Sequence, residues 1–454
     1  MSESAAPVRF ADGSFRIFRR DALVYLAQIF TGAVVARTLG PEAMGLWIIL
    51  QMIPSYAEPI GRIHFDSASC YFISRGTYRI GEVSFAVVVA TVVTSALLIA
   101  AFLWQSDRIY ATFLTAAVTV PQLIVLMLAS IPVRFLTLNY SYLLLSREDV
   151  DGYNRVAVLN GLAPSLAGAA LVLTGFGLPG LVLATLGGGI AAVVYGAFRI
   201  HRDTPMVVHV NTALFRDLFS FGSKLYLQQL VGYFHVYASG LLVLLYLPAS
   251  SVAFFRMGQD RALLLSRVPN AAGTLLYPRI SRLSERPQEA RELTAGAFRM
   301  VLWILLALGA IAAVLATPAV LILYGEAYRP VILMLVIFIP GVVFEASSGL
   351  ILQHFTGRGN LWLVVGLAII GLIVQLALLW VAIPAWGLVG AAAAASASYV
   401  SMALLRLKAF VDRERIQWRT LLVPTRADFD FVREFIGSRL LPLMRHREAP
   451  ANTP

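Results

Sequence analysis

The chain has 454 residues, of which 59% are hydrophobic and only 13% are charged, and its mean hydropathy is +0.76. Soluble globular domains carry about 25% charged residues, so this composition excludes an ordinary soluble protein. Apolar blocks long enough to cross the ~30 Å hydrocarbon core of a bilayer recur along the chain. The sequence therefore predicts an all-α polytopic membrane protein.

The charge balance is strongly basic, with 36 basic residues against 25 acidic ones and a net charge of +11. Because the arginines are distributed among loops and predicted spans rather than gathered in one patch, nucleic-acid binding is not expected. The single cysteine, Cys70, excludes a disulfide within the chain. Residues 1–20 are polar and lack a short apolar core with a cleavage site, so the first span is predicted to be an uncleaved anchor.

Taken in chain order, the apolar blocks predict about twelve transmembrane helices. Short loops on the cytoplasmic side of a membrane are enriched in Lys and Arg. One side of the predicted topology receives Arg9, Arg16, Arg19, Arg20, Arg75, Arg79, Arg147, Arg155, Arg199, Arg202, Arg216, Arg279, Arg282, Arg286, Arg291, Arg299, Arg358 and the tail. The other side receives only Arg37, Arg108 and Arg329. This asymmetry predicts that both termini are cytoplasmic.

The predicted domain order starts with a cytoplasmic N-terminal segment, 1–20. Two six-helix bundles follow, 21–200 and 201–410, and the chain ends in a cytoplasmic tail, 411–454. Within that tail, the segment from Arg426 to Leu443 mixes apolar and charged residues at helical spacing. Two readings remain open for it, an amphipathic helix on an anionic membrane surface and a disordered tail.

Two short motifs occur once in each half of the chain. The turn 39–47 (LGPEAMGLW) is echoed by 247–255 (LPASSVAFF), and the turn 177–180 (GLPG) is echoed by 387–390 (GLVG). Gly-Pro in the first turn is a break between apolar segments. The two bundles are therefore predicted to be pseudo-symmetric, an arrangement typical of transporters with a site between repeats.

Predicted span eight, Val252 to Tyr277, carries four charges: Arg256, Asp260, Arg261 and Arg267. At 100° per residue, all but Arg261 fall on one face of a regular helix. Charges near the middle of a bilayer cost roughly 2.5–3.5 kcal/mol each on insertion scales, so this face is expected to line an aqueous cavity. The excess of arginine suits an anionic ligand, because guanidinium groups bind phosphate oxygens in pairs. Snorkelling of these arginines to the interface is the alternative.

Predicted span two has a similar stripe, in which Glu58, Arg62 and Asp66 share one helix face. Pro54 and Pro59 should bend this helix. Since one arginine faces two carboxylates, one carboxylate is expected to be available for a proton. An ordinary salt-bridged face near the cytoplasmic end is the alternative.

Other polar residues in the spans carry weaker signals. Glu345 in span ten is a candidate for a buried titrating group, whereas His235 and His354 are interpreted as hydrogen-bonded packing residues. Arg134 belongs either to the cavity or to the cytoplasmic end of span four. The sequence has no His or Cys cluster with metal-ligand spacing, no Ser-His-Asp signature and no phosphate-binding glycine loop. Neither a catalytic residue, nor a metal, nor another cofactor is therefore predicted.

Two stretches resemble a known family. The segment 36–47 (ARTLGPEAMGLW) is similar to the first-helix signature of polysaccharide flippases, and 323–328 (LYGEAY) is similar to their outer turn after span nine. These flippases belong to the multidrug/oligosaccharidyl-lipid/polysaccharide (MOP) superfamily. The span order and the duplicated halves fit this family over roughly residues 15–410. The resemblance implies the MATE-like fold of that superfamily.

The same resemblance implies a flippase that moves polyprenyl-pyrophosphate-linked oligosaccharide repeat units across a bacterial inner membrane for surface polysaccharide synthesis. It implies alternating access and a cationic cavity for the pyrophosphate, with membrane lipids, a polysaccharide polymerase and glycosyltransferases as partners. The candidate pyrophosphate-binding residues are Arg256, Arg261, Arg267 and Arg62. The candidate groups for coupling to a proton or another ion are Glu58, Asp66, Asp260 and Glu345.

Three other functions compete with this one. A multidrug exporter of the same superfamily would share the fold, but exporters of cationic drugs do not need an excess of arginine. A twelve-helix facilitator should have a Gly-x-x-x-Asp-Arg-x-Gly-Arg-type loop after span two, where this chain has Ser74 to Gly81 (SRGTYRIG). A membrane polymerase or glycosyltransferase usually needs a long outer loop, and the outer turns predicted here are short.

Overall fold

The computed structural model describes residues 5–113, 121–283 and 286–424. Within these ranges the chain is almost entirely helical and has no β-strand. The helices are α1 (Ala5–Gly61), α2 (Phe65–Ser74), α3 (Ile80–Trp104), α4 (Ser106–Phe113), α5 (Pro121–Ser146), α6 (Val150–Leu173), α7 (Gly177–His201), α8 (Thr212–Tyr246), α9 (Ala249–Ala262), α10 (Arg267–Arg282), α11 (Pro287–Tyr324), α12 (Pro330–Gly357), α13 (Leu361–Glu414) and α14 (Trp418–Leu422). Short 3-10 segments lie at Leu263–Ser266 and Glu326–Tyr328.

Nine helices in the described ranges are long and apolar enough to cross a membrane. Two of these helices, α1 and α13, each consist of two helical arms joined at a non-helical glycine. α1 has 57 residues with a non-helical Gly40 (φ 77°), and α13 has 54 residues with a non-helical Gly387 (φ 56°). Since a span needs about 20 residues, each of these helices contains two predicted spans. The all-α polytopic fold is thereby confirmed.

The break in α1 falls where the sequence predicts it. Gly40 adopts a left-handed φ that favours glycine, and Pro41 begins the next helical arm. Predicted span eight is weakly apolar, and the structure forms it from α9, a 3-10 segment and α10. The short helices α2 and α4 were not predicted from the sequence.

The second repeated motif is built the same way in both halves. Gly177 and Gly387 both have φ 56°. A Cβ added to Gly180 would lie 3.0 Å from the Phe176 Cβ. In the second turn, a Cβ added to Gly390 would lie 2.9 Å from the Trp386 Cβ. Both turns therefore require glycine at the same two positions. This shared geometry supports the internal repeat.

By their internal contacts the residues group into two compact units. The first comprises Met1–Gly258, Thr317–Met334 and Leu379–Ala391. Its main core lies among α2, α3, α5, α6, α7 and α8, with fully buried side chains such as Val83 and Val156. Because the units follow contacts rather than sequence repeats, the predicted division into bundles 21–200 and 201–410 stays a prediction.

The second unit comprises Gln259–Ala316, Leu335–Leu378 and Ala392–Pro454. Small residues let two of its helices approach closely. A Cβ added to Gly341 in α12 would lie 2.7 Å from the Ser396 backbone, and the Gly341 N–H donates to Ser396 Oγ at 3.1 Å. The predicted tail helix from Arg426 to Leu443 lies outside the described residues.

Candidate functional site

The charged stripe of predicted span two sits at a break between two helices. α1 ends at Gly61, and Ile63 (φ 46°) and His64 (φ 54°) adopt the left-handed conformation before α2 begins. Non-glycine residues in this conformation cost about 1–3 kcal/mol and persist where the surroundings fix them. One such constraint is Gly222 of α8, where an added Cβ would lie only 2.1 Å from the Ile63 carbonyl oxygen. The expectation of one bent helix through this stripe is therefore corrected to two helices joined by a strained turn.

The break nevertheless keeps the three predicted residues together. Arg62 Nη1 lies 3.0 Å from Asp66 Oδ2 and 4.0 Å from Glu58 Oε1. Asp66 has no solvent exposure, and Arg62 is also buried. A charge buried to this degree requires a charged or hydrogen-bonding partner, and Arg62 supplies one.

A second arginine joins this cluster from α5. Arg134 Nε lies 2.5 Å from Glu58 Oε2. The stripe in the sequence has one arginine for two carboxylates, from which one carboxylate was expected to be available for a proton. That count is corrected: Glu58 and Asp66 each have an arginine within hydrogen-bond distance. No local sequence signal links two residues that lie on different helices.

The buried end of the cluster contains two unsatisfied polar atoms. Asp66 Oδ1 and His64 Nδ1 are 3.9 Å apart. Among the described residues, neither atom has a hydrogen-bond partner. Buried polar atoms without partners are rare and mark candidate functional positions. If Asp66 or His64 were protonated and the two side chains moved slightly closer, a hydrogen bond would form between them.

Predicted ligand residue Arg256 lies against an aromatic group on α8. Its guanidinium carbon is 4.8 Å from the centre of the Tyr237 ring, within the range of a cation–π contact. Tyr56 of α1 donates a hydrogen bond to the Tyr237 carbonyl. Tyr233 donates its hydroxyl to the Ser55 carbonyl at 2.8 Å. The aromatic residues thus connect α1 with α8 and orient Arg256; the sequence analysis did not identify them.

A cavity of about 300 Å³ lies among the helices of the first unit. Polar side chains line much of it, namely Gln28, Thr31, Gln51, Ser130, Asn160, Ser165 and Thr185. Arg134 lines the same cavity and also pairs with Glu58. No described residue of predicted span eight lines this cavity, so the two positions that the sequence left open for Arg134 stay open.

Predicted residue Glu345 forms an ion pair inside the second unit. Its Oε1 lies 2.9 Å from Arg406 Nη1, and the same nitrogen donates to Ser348 Oγ at 3.1 Å. Glu345 Oε2 is buried and has no hydrogen-bond partner among the described residues. Arg406, a buried residue of α13, was absent from the predicted set.

The remaining predicted residues lie on either side of the 3-10 segment that interrupts span eight. Asp260 and Arg261 are half-buried at the end of α9, and Arg267 is exposed at the start of α10. The intervening 3-10 segment advances 120° per residue rather than 100°, a difference of about 80° over four residues. This difference places Arg267 about 60° rather than 20° from Asp260 around the helix axis. The shared face expected for Asp260 and Arg267 stays a prediction. Their assignment to a ligand stays a prediction.

His354 bears out the interpretation of a hydrogen-bonded packing residue. Its Nδ1 lies 2.9 Å from Thr294 Oγ1, and its Nε2 lies 3.2 Å from Glu414 Oε1. The ring is fully buried. These contacts hold the start of α11 and the ends of α12 and α13 together.

A family model described as polysaccharide biosynthesis protein matches residues 34–333. No curated protein sequence matches this chain.

Several solved structures share the fold. One is a multidrug resistance transporter of the MATE family and MOP superfamily in an inward-facing conformation, with TM-score 0.73, 16% identity, and 86% of this chain and 94% of that chain covered. A second is the lipid II flippase MurJ, with TM-score 0.73, 13% identity, and coverage of 95% and 97%. A third is a MOP-superfamily transporter from Pyrococcus furiosus, described by the reverse polarity of its binding pocket, with TM-score 0.59, 16% identity, and coverage of 90% and 95%. At these identities the similarity establishes the fold alone.

Proposed function

We propose, because this chain belongs to the polysaccharide biosynthesis protein family, that it is a flippase for lipid-linked oligosaccharides. Its substrate is a polyprenyl-pyrophosphate-linked repeat unit, moved across the bacterial inner membrane for assembly of a surface polysaccharide. The protein acts as a transporter rather than an enzyme, and both termini face the cytoplasm. Membrane lipids surround it, and a polysaccharide polymerase and glycosyltransferases act before or after it.

The observation that carries this proposal is the set of arginines held in or next to membrane helices. Arg62 and Arg134 are anchored by carboxylates, and Arg256 lies over the Tyr237 ring. Guanidinium groups in a region of low polarity bind phosphate oxygens strongly and in pairs. Arg256, Arg261, Arg267 and Arg62 are the proposed pyrophosphate ligands. Sugar hydroxyls suit the amide and hydroxyl groups that line the cavity of the first unit.

Transport is proposed to follow alternating access between the two repeats. Uphill or directional transport needs an energy source, and a proton gradient is the proposed one. Asp66 is the leading proton acceptor because its buried Oδ1 lacks a hydrogen-bond partner among the described residues. Glu345 has the same feature in the second unit, and Glu58 and Asp260 are further candidates.

The second candidate function is export of small molecules, which the fold of the MATE-family transporter supports. A cationic drug would meet repulsion from the arginines, whereas a lipid pyrophosphate would be attracted to them. An integral-membrane polymerase or glycosyltransferase is the third candidate. Its support is weaker because the carboxylates in the charged cluster are paired with arginine rather than exposed to a substrate.

The test is a strain that lacks this protein, with its lipid-linked oligosaccharides extracted and analysed by mass spectrometry. Flipping predicts accumulation of one complete polyprenyl-pyrophosphate repeat unit and loss of a surface polymer, both reversed by the wild-type chain. Truncated oligosaccharides would indicate an enzyme. Normal lipid-linked oligosaccharides together with intact polymer and increased drug sensitivity would indicate an exporter.

A further inference from the structure

The chain reverses direction after α13 and passes back over α11. Arg415 adopts a left-handed conformation (φ 53°), and the short helix α14 follows. Arg299 Nη1 of α11 donates to the Thr420 carbonyl at 2.5 Å, and Trp303 Nε1 donates to the Leu422 carbonyl at 3.0 Å. We refer to residues 415–423 as the C-terminal strap. Side chains of α11 therefore hold the strap by its backbone.

A pocket of about 450 Å³ lies between the C-terminal strap and α11. Arg291 and Arg299 come from α11, and Arg415 comes from the strap. Between the two α11 arginines the helix surface is formed by Ala295 and Gly296, and a Cβ added to Gly296 would meet nothing within 4 Å. The small residues leave open space beside three guanidinium-bearing side chains.

The lining of this pocket carries an excess of positive charge. Among the described residues of the lining, the acidic one is Glu292, which is exposed and accepts a hydrogen bond from Gln288 at 3.3 Å. Arg291 Nη1 donates to the Glu414 carbonyl at 3.1 Å, and Arg299 binds the Thr420 carbonyl. The Glu414 carboxylate also interacts with Arg291, but it is shared with His354 and Arg358. With three arginines and one carboxylate in the described lining, the pocket is a cationic site.

The pocket lies at the level of the lipid headgroups. α11 has 38 residues and is about 57 Å long at 1.5 Å per residue, far more than the ~30 Å hydrocarbon core. Its continuous apolar stretch begins after Arg299, so the preceding turns project beyond the core. Trp303 and Trp418, 47% and 41% exposed, flank the site. Tryptophan is enriched at membrane–water interfaces, in agreement with this level.

We propose that this pocket binds the phosphodiester headgroup of an anionic phospholipid, such as phosphatidylglycerol. Arginine matches phosphate oxygens in geometry and charge, and basic pockets between membrane helices favour acidic lipids. The exposed faces of Trp303 and Leu422 supply an apolar surface for the acyl chains. The arginine distribution of the sequence predicts that the lipid belongs to the cytoplasmic leaflet. This inference does not depend on the transported substrate.

The test measures thermal unfolding of the purified full-length protein by tryptophan fluorescence, in a neutral detergent. The additives are phosphatidylglycerol, phosphatidylcholine and inorganic phosphate. Arg415→Gln and Arg291→Gln remove charges from the pocket. Arg419→Gln is the matched control, because Arg419 is an exposed arginine of the same strap that does not line the pocket.

Phosphatidylglycerol is expected to raise the melting temperature of the wild-type protein and of Arg419→Gln by equal amounts. For Arg415→Gln and Arg291→Gln the lipid concentration at half-effect should rise about 10-fold, since each loses a charge-assisted hydrogen bond. Arg415 is exposed, so its variant should fold even where Arg291→Gln does not. The proposal is overturned if Arg415→Gln responds like Arg419→Gln. It is also overturned if phosphatidylcholine or inorganic phosphate alone produces the same shift.

Discussion

Arg134 Nε lies 2.5 Å from Glu58 Oε2, although 76 residues separate the two in sequence. The contact connects α5 to α1 beside the buried pair of Arg62 and Asp66. One charged cluster thus joins a cavity-lining arginine, a strained helix break and an unsatisfied carboxylate. Its members are the residues to alter first.

The Glu58–Arg134 pair should show strong energetic coupling. Each single variant, Glu58→Gln or Arg134→Gln, leaves one charge in a partly buried position and should lower the melting temperature in detergent. The double variant restores charge balance, so its melting temperature should be no lower than that of the less stable single variant. Coupling energies of about 0.5–3 kcal/mol are typical of contacting residues. Melting temperatures of the four proteins measure this effect; strictly additive losses would contradict it.

Asp66 should determine the response to a proton gradient. Asp66→Asn keeps the side-chain volume but cannot exchange a proton, so flipping in vesicles should no longer respond to an imposed pH gradient. Asp66→Glu should retain part of the response. Glu326→Gln is a suitable control, because Glu326 forms an exposed pair with Arg329. If Asp66→Asn protein, inserted at normal levels, responds to the gradient like the wild type, this assignment is wrong.

Arg256 should be essential for transport but not for insertion. Arg256→Gln removes the charge, and loss of a charge-assisted hydrogen bond to phosphate corresponds to roughly 10- to 100-fold weaker binding. Arg256→Lys keeps the charge without the paired donors and should have an intermediate effect. Complementation of the deletion strain measures both variants, with exposed Arg282→Gln as the control. Full complementation by Arg256→Gln would remove this residue from the proposed site.

Gly45 should tolerate no side chain. A Cβ there would lie 2.0 Å from the Ala249 carbonyl oxygen, a backbone atom that cannot rotate away. Gly45→Ala should destabilise the protein by about 1–3 kcal/mol, the usual cost of overpacking. Gly232→Ala is the matched control, since a Cβ at Gly232 meets nothing within 4 Å. Its melting temperature should equal or slightly exceed that of the wild type, and equal melting temperatures for both variants would refute the close approach.

Asp149 should stabilise the connection between α5 and α6 in a pH-dependent way. Burial alone raises the pKa of Asp149, but hydrogen bonds from the Gly152 N–H and from Arg199 outweigh burial and lower that pKa below its usual value. The stabilisation is therefore present above the unfolded-state pKa and is lost as pH falls through the lower folded-state pKa. Asp149→Ala should lower the melting temperature at pH 7, with the difference from wild type shrinking towards acid pH. A difference independent of pH would contradict this account.

Local sequence signals predicted the fold well because they depend on near neighbours. Gly40 and Pro41 mark a break that the backbone makes, and Gly177 and Gly387, which begin the echoed turns, have the same φ. The proximity of Arg62 and Asp66 was predicted from helical spacing, although the left-handed turn at Ile63 and His64 separates the two residues in the structure.

Contacts between distant segments could not be read from the sequence. Arg406 meets Glu345 through helix packing, and no spacing rule links positions on different helices. The left-handed turn at Ile63 was missed because a β-branched residue rarely adopts that conformation without tertiary constraint. The 3-10 segment between Asp260 and Arg267 was also not predicted, because regular helical spacing was assumed through span eight.

The most direct test is a flipping measurement with the purified protein in liposomes that contain a polyprenyl-pyrophosphate-linked oligosaccharide in both leaflets. A glycosidase that cannot cross the membrane is added outside, and the cleaved fraction is followed over time. The account predicts that cleavage proceeds to nearly all of the lipid with wild-type protein, and stops at the outer-leaflet share with Arg256→Gln or without protein. Cleavage that stops at the outer-leaflet share with the correctly inserted wild-type protein would contradict the proposed function.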